Sequence, residues 1–291
     1  MAIKQTEDLL SRAWQTRRAY FAPRIEFVYP YRTLAVSSTG RDCALNCAHC
    51  GGYYLKHMQP LAKTKTLAQR DTKIKSFLVS GGCDRQGKVP HLAKLAEIKA
   101  LAAQGALNLH TGLVTEEEAA ALGKVAGVVS FDLLVDGETI KDVYGLQAAP
   151  RYFMQSYRLL RKYTRVVPHL CLGLYKGAIR GEYRALEFLR EEGAEALTFI
   201  VFTPTPGTAF AGYEPPPVEE VGHFLATARL MFPRLPLSLG CMRPGGNYRK
   251  ALDCTAINAG INKIVQPAPA ARLLAGELGL AIVKGEECCS L

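Results

Sequence analysis

Short apolar segments alternate with amphipathic segments along most of the chain, and this alternation limits the possible folds more than any other feature of the sequence. Between the apolar runs, apolar side chains recur three and four residues apart, as in Leu92, Leu95, Ile98 and Leu101, which is typical of helices that bury one face. Strands that alternate with helices favour an α/β fold with a parallel sheet. We predict eight strands, at Thr33–Ser37, Ser76–Ser80, Ala106–His110, Val128–Leu133, Val166–Leu172, Ala196–Phe202, Leu237–Gly240 and Lys263–Val265. Eight such strands predict a (β/α) TIM-like barrel, complete or nearly complete.

The domain organisation is expected to be simple. The chain of 291 residues has a suitable length for one large α/β barrel or for two medium domains, and we expect one domain. It contains no internal repeat, and the run Pro215–Pro217 is interpreted as a stiff loop before a helix and not as a domain linker. We expect an N-terminal helical extension over residues 1–30, followed by the barrel over residues 31–291 with a C-terminal tail that carries Cys288 and Cys289.

Composition and charge exclude several classes of protein. Apolar residues make up 48% of the chain and charged residues 21%, which excludes disordered, collagen-like and coiled-coil chains. No apolar run reaches the length of a membrane span, and the first residues do not resemble a secretory signal, so we expect a cytoplasmic protein without a membrane partner. The net charge of +10 favours an acidic partner. Because there is no run of five or more Lys or Arg, we do not expect that partner to be a nucleic acid.

Three of the nine cysteines, Cys43, Cys47 and Cys50, lie within eight residues, directly after the first predicted strand. A reduced chain uses such cysteines for metals or catalysis more often than for disulfides. Structural zinc normally takes four protein ligands, whereas a [4Fe–4S] cluster held by three cysteines keeps one iron free for another ligand. The spacing therefore predicts an iron–sulfur cluster, and the alternatives are a zinc site completed by His49 or His57, or three buried thiols.

The pattern CxxxCxxC after the first strand of a barrel resembles the radical S-adenosylmethionine superfamily. The resemblance implies that Cys43, Cys47 and Cys50 hold a [4Fe–4S] cluster whose fourth iron binds S-adenosylmethionine (SAM). One-electron reduction would then cleave SAM to methionine and a 5′-deoxyadenosyl radical, with an electron donor such as ferredoxin or flavodoxin. His49 stands where the superfamily usually has an aromatic residue near the adenine.

The resemblance also suggests roles for residues near the ends of other predicted strands. Gly81 and Gly82 correspond to a Gly-Gly-Glu-like motif that receives the methionine amino group, although Cys83 replaces the glutamate and leaves that contact open. Asp132 is a candidate ligand of the ribose, by analogy with the acids of dinucleotide sites, or else a helix cap. Gly173, Gly177 and Glu182 are expected to line the adenosine. Arg243 is expected to neutralise the charge of the cluster or of the cofactor carboxylate. His110 is a candidate catalytic group in the substrate channel, and a structural role for it is equally plausible.

A second group of cysteines predicts a second metal centre. Cys83, Cys241, Cys288 and Cys289 follow predicted strands, and a tail that crosses the carboxyl ends of the strands would bring them together around an auxiliary [4Fe–4S] cluster. The alternative is a frayed tail with exposed thiols. Cys171 and Cys254 are interpreted as inert thiols.

Four further segments make residues 20 to 291 resemble the biotin-synthase-related branch of the superfamily, with most similarity to the two-protein, archaeal-type lipoyl synthases. These segments are Asn108–Leu113, Pro204–Thr208, Gly240–Pro244 and Ala259–Val265. The resemblance implies a sulfurtransferase of lipoate biosynthesis, which inserts sulfur from the auxiliary cluster into an octanoyl chain on an acidic lipoyl-carrier protein or peptide. A homologous partner enzyme would insert the other sulfur.

The positive charge suits such a carrier. A basic rim that steers it is expected from Arg17, Arg18, Lys56, Lys63 and Lys65. Two alternatives stay open. The first is a radical SAM mutase, lyase or methylating enzyme of another cofactor-maturation pathway, without sacrificial sulfur. The second is a protein without enzymatic activity, either a cluster-binding scaffold or a zinc-stabilised nucleic-acid binder.

Overall fold

The computed structural model describes residues 2–64 and 73–291. These residues form two compact units. The cysteine-loop unit contains Pro30–His169, Pro204–Gly212 and Glu286–Leu291. The α1 unit contains Met1–Tyr29, Leu170–Thr203 and Tyr213–Gly285.

The cysteine-loop unit contains a parallel sheet with the strand order β3-β2-β4-β5-β6, followed by the first residues of β7. Its strands are β2 (Thr33–Ser37), β3 (Gln59–Pro60), β4 (Ser76–Ser80), β5 (Ala106–Thr111), β6 (Val128–Asp132) and β7 (Val166–Leu172). Along β5, buried Leu107 and Leu109 alternate with Asn108 and His110, as expected for a period of two residues. Because successive side chains point to opposite faces, apolar side chains cover one face, and Asn108, Ser130 and Asp132 share the other.

Among the described residues of this unit, strands are connected by the helices α2 (Leu95–Ala102), α3 (Glu116–Gly123), α4 (Gly137–Tyr144) and α5 (Pro150–Arg161). Thr115 and Glu118 form a reciprocal capping box at the start of α3, as the sequence Thr-Glu-Glu-Glu predicts. The Asp136 carboxylate caps α4 by accepting from the backbone N–H of Thr139 at 2.9 Å. Gly145, with φ of 66°, ends that helix in the left-handed conformation that glycine tolerates.

The α1 unit contains a second run of parallel strands in the order β11-β1-β10-β9-β8. Its strands are β1 (Arg24–Val28), the end of β7, β8 (Leu197–Val201), β9 (Leu237–Leu239), β10 (Lys263–Val265) and β11 (Ala281–Gly285). Its helices are α1 (Ala2–Tyr20), α6 (Glu182–Glu192), α7 (Val218–Met231), α8 (Gly246–Asn258) and α9 (Pro269–Glu277). Helix α1 packs on α7, where the fully buried Arg229 guanidinium donates to the Gly260 carbonyl at 3.1 Å and the Asn262 side chain at 2.6 Å.

All eight predicted strands are present, with boundaries that differ from the prediction by at most one residue. Three strands were missed. β1 lies inside the segment predicted as a helical extension, because its sequence RIEFV carries two charges in five residues. β11 lacked an apolar pattern because its side chains are mostly exposed, and β3 has only two residues. Among the described residues, no helix combines the length and apolar character of a membrane span.

Candidate metal centre

The segment Cys43–Cys50, called here the three-cysteine loop, follows β2 in the cysteine-loop unit. Asn46 takes a left-handed φ of 47°, which reverses the chain between the first two cysteines. The loop is held at its middle, where Ala48 donates its backbone N–H to Val143 at 2.7 Å and accepts from Phe210 at 2.9 Å. The ligand atoms of Cys47, His49 and Cys50 lie within 4.8 Å of one another. The local turns therefore direct two thiols and an imidazole to one point.

Electrostatics links all three thiols of the loop. The Cys47 thiol donates a hydrogen bond to Cys50, which lowers the pKa of Cys50 to about 7. The pKa of Cys47 is raised, first by that hydrogen bond, then by burial and by charges on Cys50, Cys43 and Cys83. Because the charges of neighbouring thiolates repel one another, these thiols are stable in the deprotonated form only around a bound cation.

A pocket of about 220 Å³ lies beside these thiols. It is lined by the three-cysteine loop, the loop after β4, and the ends of β5 and β6, including Cys83, His110, Asp132 and Tyr144. No Lys or Arg is among its described lining residues. Soft thiolates without a basic side chain beside them fit an iron–sulfur cluster.

His49 provides a second indication that a ligand belongs here. Burial lowers the pKa of His49 to about 4, so the imidazole is neutral. Its buried Nδ1 has no hydrogen-bond partner within the described part of the chain. The ring lies 5.6 Å from the Tyr144 ring, with a tilt of 54° between the planes. A buried polar atom without a partner costs free energy, and a bound cofactor would remove this cost.

The loop after β4 packs directly on the three-cysteine loop. A Cβ on Gly82 would lie 2.0 Å from the Asp42 carbonyl oxygen and 2.6 Å from the Cys43 Cα. The Gly82 N–H donates to Thr39 Oγ1 at 2.8 Å, and the Ala44 N–H donates to the Cys83 carbonyl at 2.8 Å. These contacts give Gly82 a structural reason to be glycine, in addition to the cofactor role expected from the sequence.

Asp132 and His110 form an ion pair in the same pocket. His110 Nε2 lies 3.5 Å from Asp132 Oδ1, and the two side chains keep 30% and 36% of their surface exposed. Burial acts to raise the pKa of Asp132, but His110, His169 and His49 outweigh it and lower the pKa to about 2. Burial acts to lower the pKa of His110, yet Asp132, with a smaller contribution from Cys288, raises it above its ordinary value. The pair is therefore stabilised as carboxylate and imidazolium.

Two histidines of this network were missed in the sequence. The position of His169 beside Asp132 is set by the strand register, because the two residues pair in the β6–β7 ladder. The His169 and His110 ring centroids are 6.0 Å apart. His91 is fully buried: its Nε2 donates to the His110 carbonyl at 3.2 Å, and its Nδ1 lies 3.2 Å from Ser38 Oγ. The sequence contains no local signal for His91, which begins the 3-10 helix His91–Lys94.

The C-terminal tail is ordered against the amino-terminal half of the strands. Cys288 donates its backbone N–H to Thr33, the first residue of β2, at 2.7 Å. Ser290 is 1% exposed, bonds to Ser130 at 3.1 Å and accepts from Arg165, which precedes β7, at 3.1 Å. This corrects the expectation that the tail crosses the carboxyl ends of the strands, and it also excludes a frayed tail.

The predicted auxiliary ligands do not form one cluster in the cysteine-loop unit. Cys83 follows the carboxyl end of β4, whereas the Cys288 backbone contacts Thr33, which pairs with Ser76 at the opposite end of that strand. Five strand residues span about 13 Å. Cys241 is exposed and lies in the α1 unit. In the part of the chain that the structure describes, the one group of three close ligands is Cys47, His49 and Cys50.

The candidate cofactor residues of the α1 unit have structural partners there. Gly173, with φ of 71°, donates its N–H to Glu182 Oε1 at 2.9 Å, and a Cβ on Gly177 would lie 2.1 Å from the Glu214 carbonyl. Burial raises the pKa of Glu182, although backbone N–H groups oppose the shift. Cys171 and Cys254 are both half-buried in this unit.

Arg243 is fully buried and forms a two-pronged ion pair with Asp253, at 2.8 and 3.0 Å. It also donates to the carbonyls of Gly240 at 2.6 Å and Gln266 at 3.3 Å. This local network corrects the expectation that Arg243 neutralises a cluster or a cofactor carboxylate, because its charge is already paired.

The expected basic rim is only partly present. Lys56 and Lys63 are exposed in the segment after the three-cysteine loop, and Arg18 is exposed on α1. Arg17 is fully buried and donates to the backbone carbonyls of Ala22 and Arg24, so it is not part of a rim. Lys65 lies outside the described residues.

Comparison with known proteins gives one curated relative. The chain is 29% identical over 161 residues to a biotin synthase from Ruthia magnifica subsp. Calyptogena magnifica, a match that covers 53% of this chain and 48% of the relative. The chain thus spans about half the length of the curated relative it matches. No protein-family model matches the chain.

Solved structures match a much larger part of the chain. Methylornithine synthase PylB has a TM-score of 0.69 at 15% identity, covering 96% of this chain and 90% of its own. HydG, a maturase of the [FeFe]-hydrogenase, has a TM-score of 0.69 at 16% identity, covering 95% and 68%. Streptococcus suis SuiB bound to S-adenosylmethionine has a TM-score of 0.55 at 12% identity, covering 83% and 55%. These matches confirm the predicted α/β barrel-type fold.

Proposed function

We propose that this chain is a radical SAM enzyme that holds a [4Fe–4S] cluster on Cys43, Cys47 and Cys50. The observation that carries the proposal is the convergence of these thiols on a pocket without Lys or Arg, beside the buried unpartnered Nδ1 of His49. When bound, the cluster supplies the electron that cleaves SAM and so starts radical chemistry at a C–H bond.

The chain's own residues would bind and orient SAM. Asp132, ionised through its pair with His110, is suited to accept hydrogen bonds from ribose hydroxyls. Neutral His49, next to the Tyr144 ring, offers a flat surface and one nitrogen to the adenine. Gly82 keeps the loop after β4 close to the three-cysteine loop, and Gly81 packs against Ser38 and Thr39, which follow β2. His110 is in position to hold a proton at the edge of the pocket.

The substrate that we propose is an octanoyl chain on an acidic lipoyl-carrier protein or peptide, into which the enzyme inserts sulfur. The curated relative is named as a biotin synthase, and SuiB, one of the structural neighbours, has been solved with a precursor peptide. Exposed Lys56 and Lys63 and the net charge of +10 favour an acidic carrier. We further propose that a ferredoxin or flavodoxin donates the electron and that a homologous partner enzyme inserts the other sulfur. The proposed location is the cytoplasm.

Sulfur insertion of this kind needs an auxiliary cluster as sulfur source. Cys288 and Cys289 remain its proposed ligands, because Cys83 follows the other end of β4 and Cys241 belongs to the α1 unit. The test is the content of iron and acid-labile sulfide in anaerobically reconstituted protein, with Mössbauer spectra. Wild type is compared with a Cys43→Ala/Cys47→Ala/Cys50→Ala variant, and Cys254→Ala serves as control.

We expect about eight irons in wild type and about four in the triple variant, at four irons per cluster. Sulfur transfer to an octanoylated carrier peptide, followed by mass spectrometry, then identifies the product. About four irons in wild type and none in the triple variant would contradict the proposal that an auxiliary cluster supplies the sulfur.

A radical SAM enzyme that matures another cofactor without sacrificial sulfur is the second candidate. The separation of Cys83 from the tail favours it, as do the structural neighbours, since one is a hydrogenase maturase and another a methylornithine synthase. Formation of 5′-deoxyadenosine without loss of sulfide from the protein would select this candidate.

A further inference from the structure

Cys83 is the fourth cysteine of the three-cysteine pocket. It lines the same 220 Å³ pocket as Cys43, Cys47 and Cys50, and it is half-buried. Its carbonyl accepts the Ala44 N–H at 2.8 Å, which fixes its backbone next to the first cysteine ligand. The preceding residue, Gly82, is so close to Cys43 that a Cβ would lie 2.6 Å from the Cys43 Cα.

The electrostatics agree with this position. Burial is the largest cause that raises the pKa of Cys83, and charges on Cys43, Asp132, Asp84 and Cys50 add to it. The charge of Cys83 in turn acts on Cys47. Cys43 and Cys50 thus lie close enough to act on Cys83, and the tail cysteines are not among the groups that act on it.

A thiolate is a better iron ligand than the carboxylate of a Gly-Gly-Glu-like motif. Three cysteines leave one iron of a cubane cluster without a protein ligand, and four cysteines complete the set. A fourth thiol that faces the same pocket can close that position. Among the described lining residues, no Lys or Arg offers this thiolate a counter-charge, and His110 is paired with Asp132.

We propose that Cys83 binds the iron left open by Cys43, Cys47 and Cys50 while SAM is absent, and releases it when SAM binds. This inference rests on the proposed function, because it requires a cluster on the three-cysteine loop. In the exchange, the Fe–S bond to Cys83 breaks and bonds from the SAM amino nitrogen and carboxylate form. The proton that the SAM ammonium loses is taken up by the Cys83 thiolate, and no electron is transferred. Cys83 thereby protects the cluster until the cofactor arrives.

The first test uses wild-type protein alone, reconstituted anaerobically and observed by Mössbauer spectroscopy before and after addition of SAM. We expect irons with thiolate-type parameters only before addition, and one distinct iron with nitrogen and oxygen ligands afterwards. A distinct iron of the three-cysteine cluster that is already present without SAM would overturn the inference.

The second test compares Cys83→Ala with Cys254→Ala, a matched half-buried thiol in the other unit. In Cys83→Ala without SAM, we expect mild oxidation to convert the cluster to the three-iron form several-fold faster than in the control. We also expect SAM to bind roughly tenfold more tightly, because the competing ligand is absent. Equal oxidation rates and equal SAM affinities in the two variants would overturn the inference.

Two further outcomes separate this inference from the proposed function. Loss of about four of eight irons in Cys83→Ala, with the SAM-binding cluster intact, would make Cys83 an auxiliary ligand. That result overturns the inference and leaves the proposed function. Iron that stays unchanged in the Cys43→Ala/Cys47→Ala/Cys50→Ala variant would overturn both.

Discussion

The Asn108 side-chain amide donates to the Cys288 thiol at 3.3 Å, although 180 residues separate the two in the chain. The amide oxygen of Asn108 accepts from the Ser130 N–H at 3.1 Å and from its hydroxyl at 3.0 Å. One buried side chain thus joins β5, β6 and the C-terminal tail. The tail is an internal part of the cysteine-loop unit, and Cys288 is among the groups that raise the pKa of His110.

The first prediction concerns this contact. Asn108→Ala leaves the buried Ser130 N–H without an acceptor and removes the tail's amide partner, so we expect the free energy of unfolding to fall by about 1–3 kcal/mol. Urea unfolding of the apoprotein measures the change. The control is Gln104→Ala, which removes an exposed bond to the Ala100 carbonyl and should change the stability by less than about 0.5 kcal/mol. Equal effects of the two substitutions would contradict the assigned role of Asn108.

The second prediction concerns the pH dependence of stability. Burial lowers the pKa of His91 from an ordinary 6.5 to about 4, so the unfolded chain binds the proton first as the pH falls. The stabilising contribution is complete above pH 6.5 and is lost between that value and pH 4, with a total of about 3 kcal/mol.

His91→Asn should flatten this part of the stability curve. Denaturant unfolding between pH 7 and pH 4 measures it, with the exposed histidine variant His57→Asn as control. A slope in His91→Asn as steep as that of wild type would show that other groups carry the pH dependence.

The third prediction concerns the Arg243–Asp253 pair. Both side chains are fully buried, and removing one partner leaves the other charge uncompensated. We expect Asp253→Asn to destabilise the protein by about 3–5 kcal/mol. The exposed pair of Lys94 and Glu97 provides the comparison, because Glu97→Gln should cost less than about 1 kcal/mol. Thermal unfolding of both variants checks the difference, and a small effect of Asp253→Asn would mean that the ion pair is dispensable.

The fourth prediction concerns the contact between the two loops. In Gly82→Ala, the new methyl group would overlap the Asp42 carbonyl and Cys43, so the three-cysteine loop must move. We expect a clear loss of iron after reconstitution, while helix content measured by circular dichroism stays near that of wild type. Gly137→Ala is the control, because its nearest neighbour would be Pro150 at 4.0 Å. Normal iron content in Gly82→Ala would show that the loops are not closely coupled.

Local patterns in the sequence predicted the strands and the three-cysteine loop because both are encoded by neighbouring residues. The period-two alternation of Leu107 and Leu109 marks β5, and the spacing of Cys43, Cys47 and Cys50 marks the proposed metal ligands. Strand β11 left no such signal, since Ile282 and Val283 are 43% and 45% exposed.

Contacts between segments that are distant in the chain could not be predicted from local sequence patterns. Nothing near Arg17 in the sequence indicates that its guanidinium will be buried and will donate to backbone carbonyls. Nothing near Cys288 indicates that its thiol will accept a hydrogen bond from Asn108. The ion pair of Arg243 with Asp253 spans only ten residues, but its burial depends on the packing of the whole α1 unit.

The central claim is that the three-cysteine loop holds the cluster that cleaves SAM. The most direct measurement is the formation of 5′-deoxyadenosine after reduction, in wild type, Cys47→Ala and Cys254→Ala, each reconstituted anaerobically. We expect product in wild type and Cys254→Ala and none above background in Cys47→Ala. Equal product in Cys47→Ala, or no product in any of the three despite a full complement of iron, would contradict it.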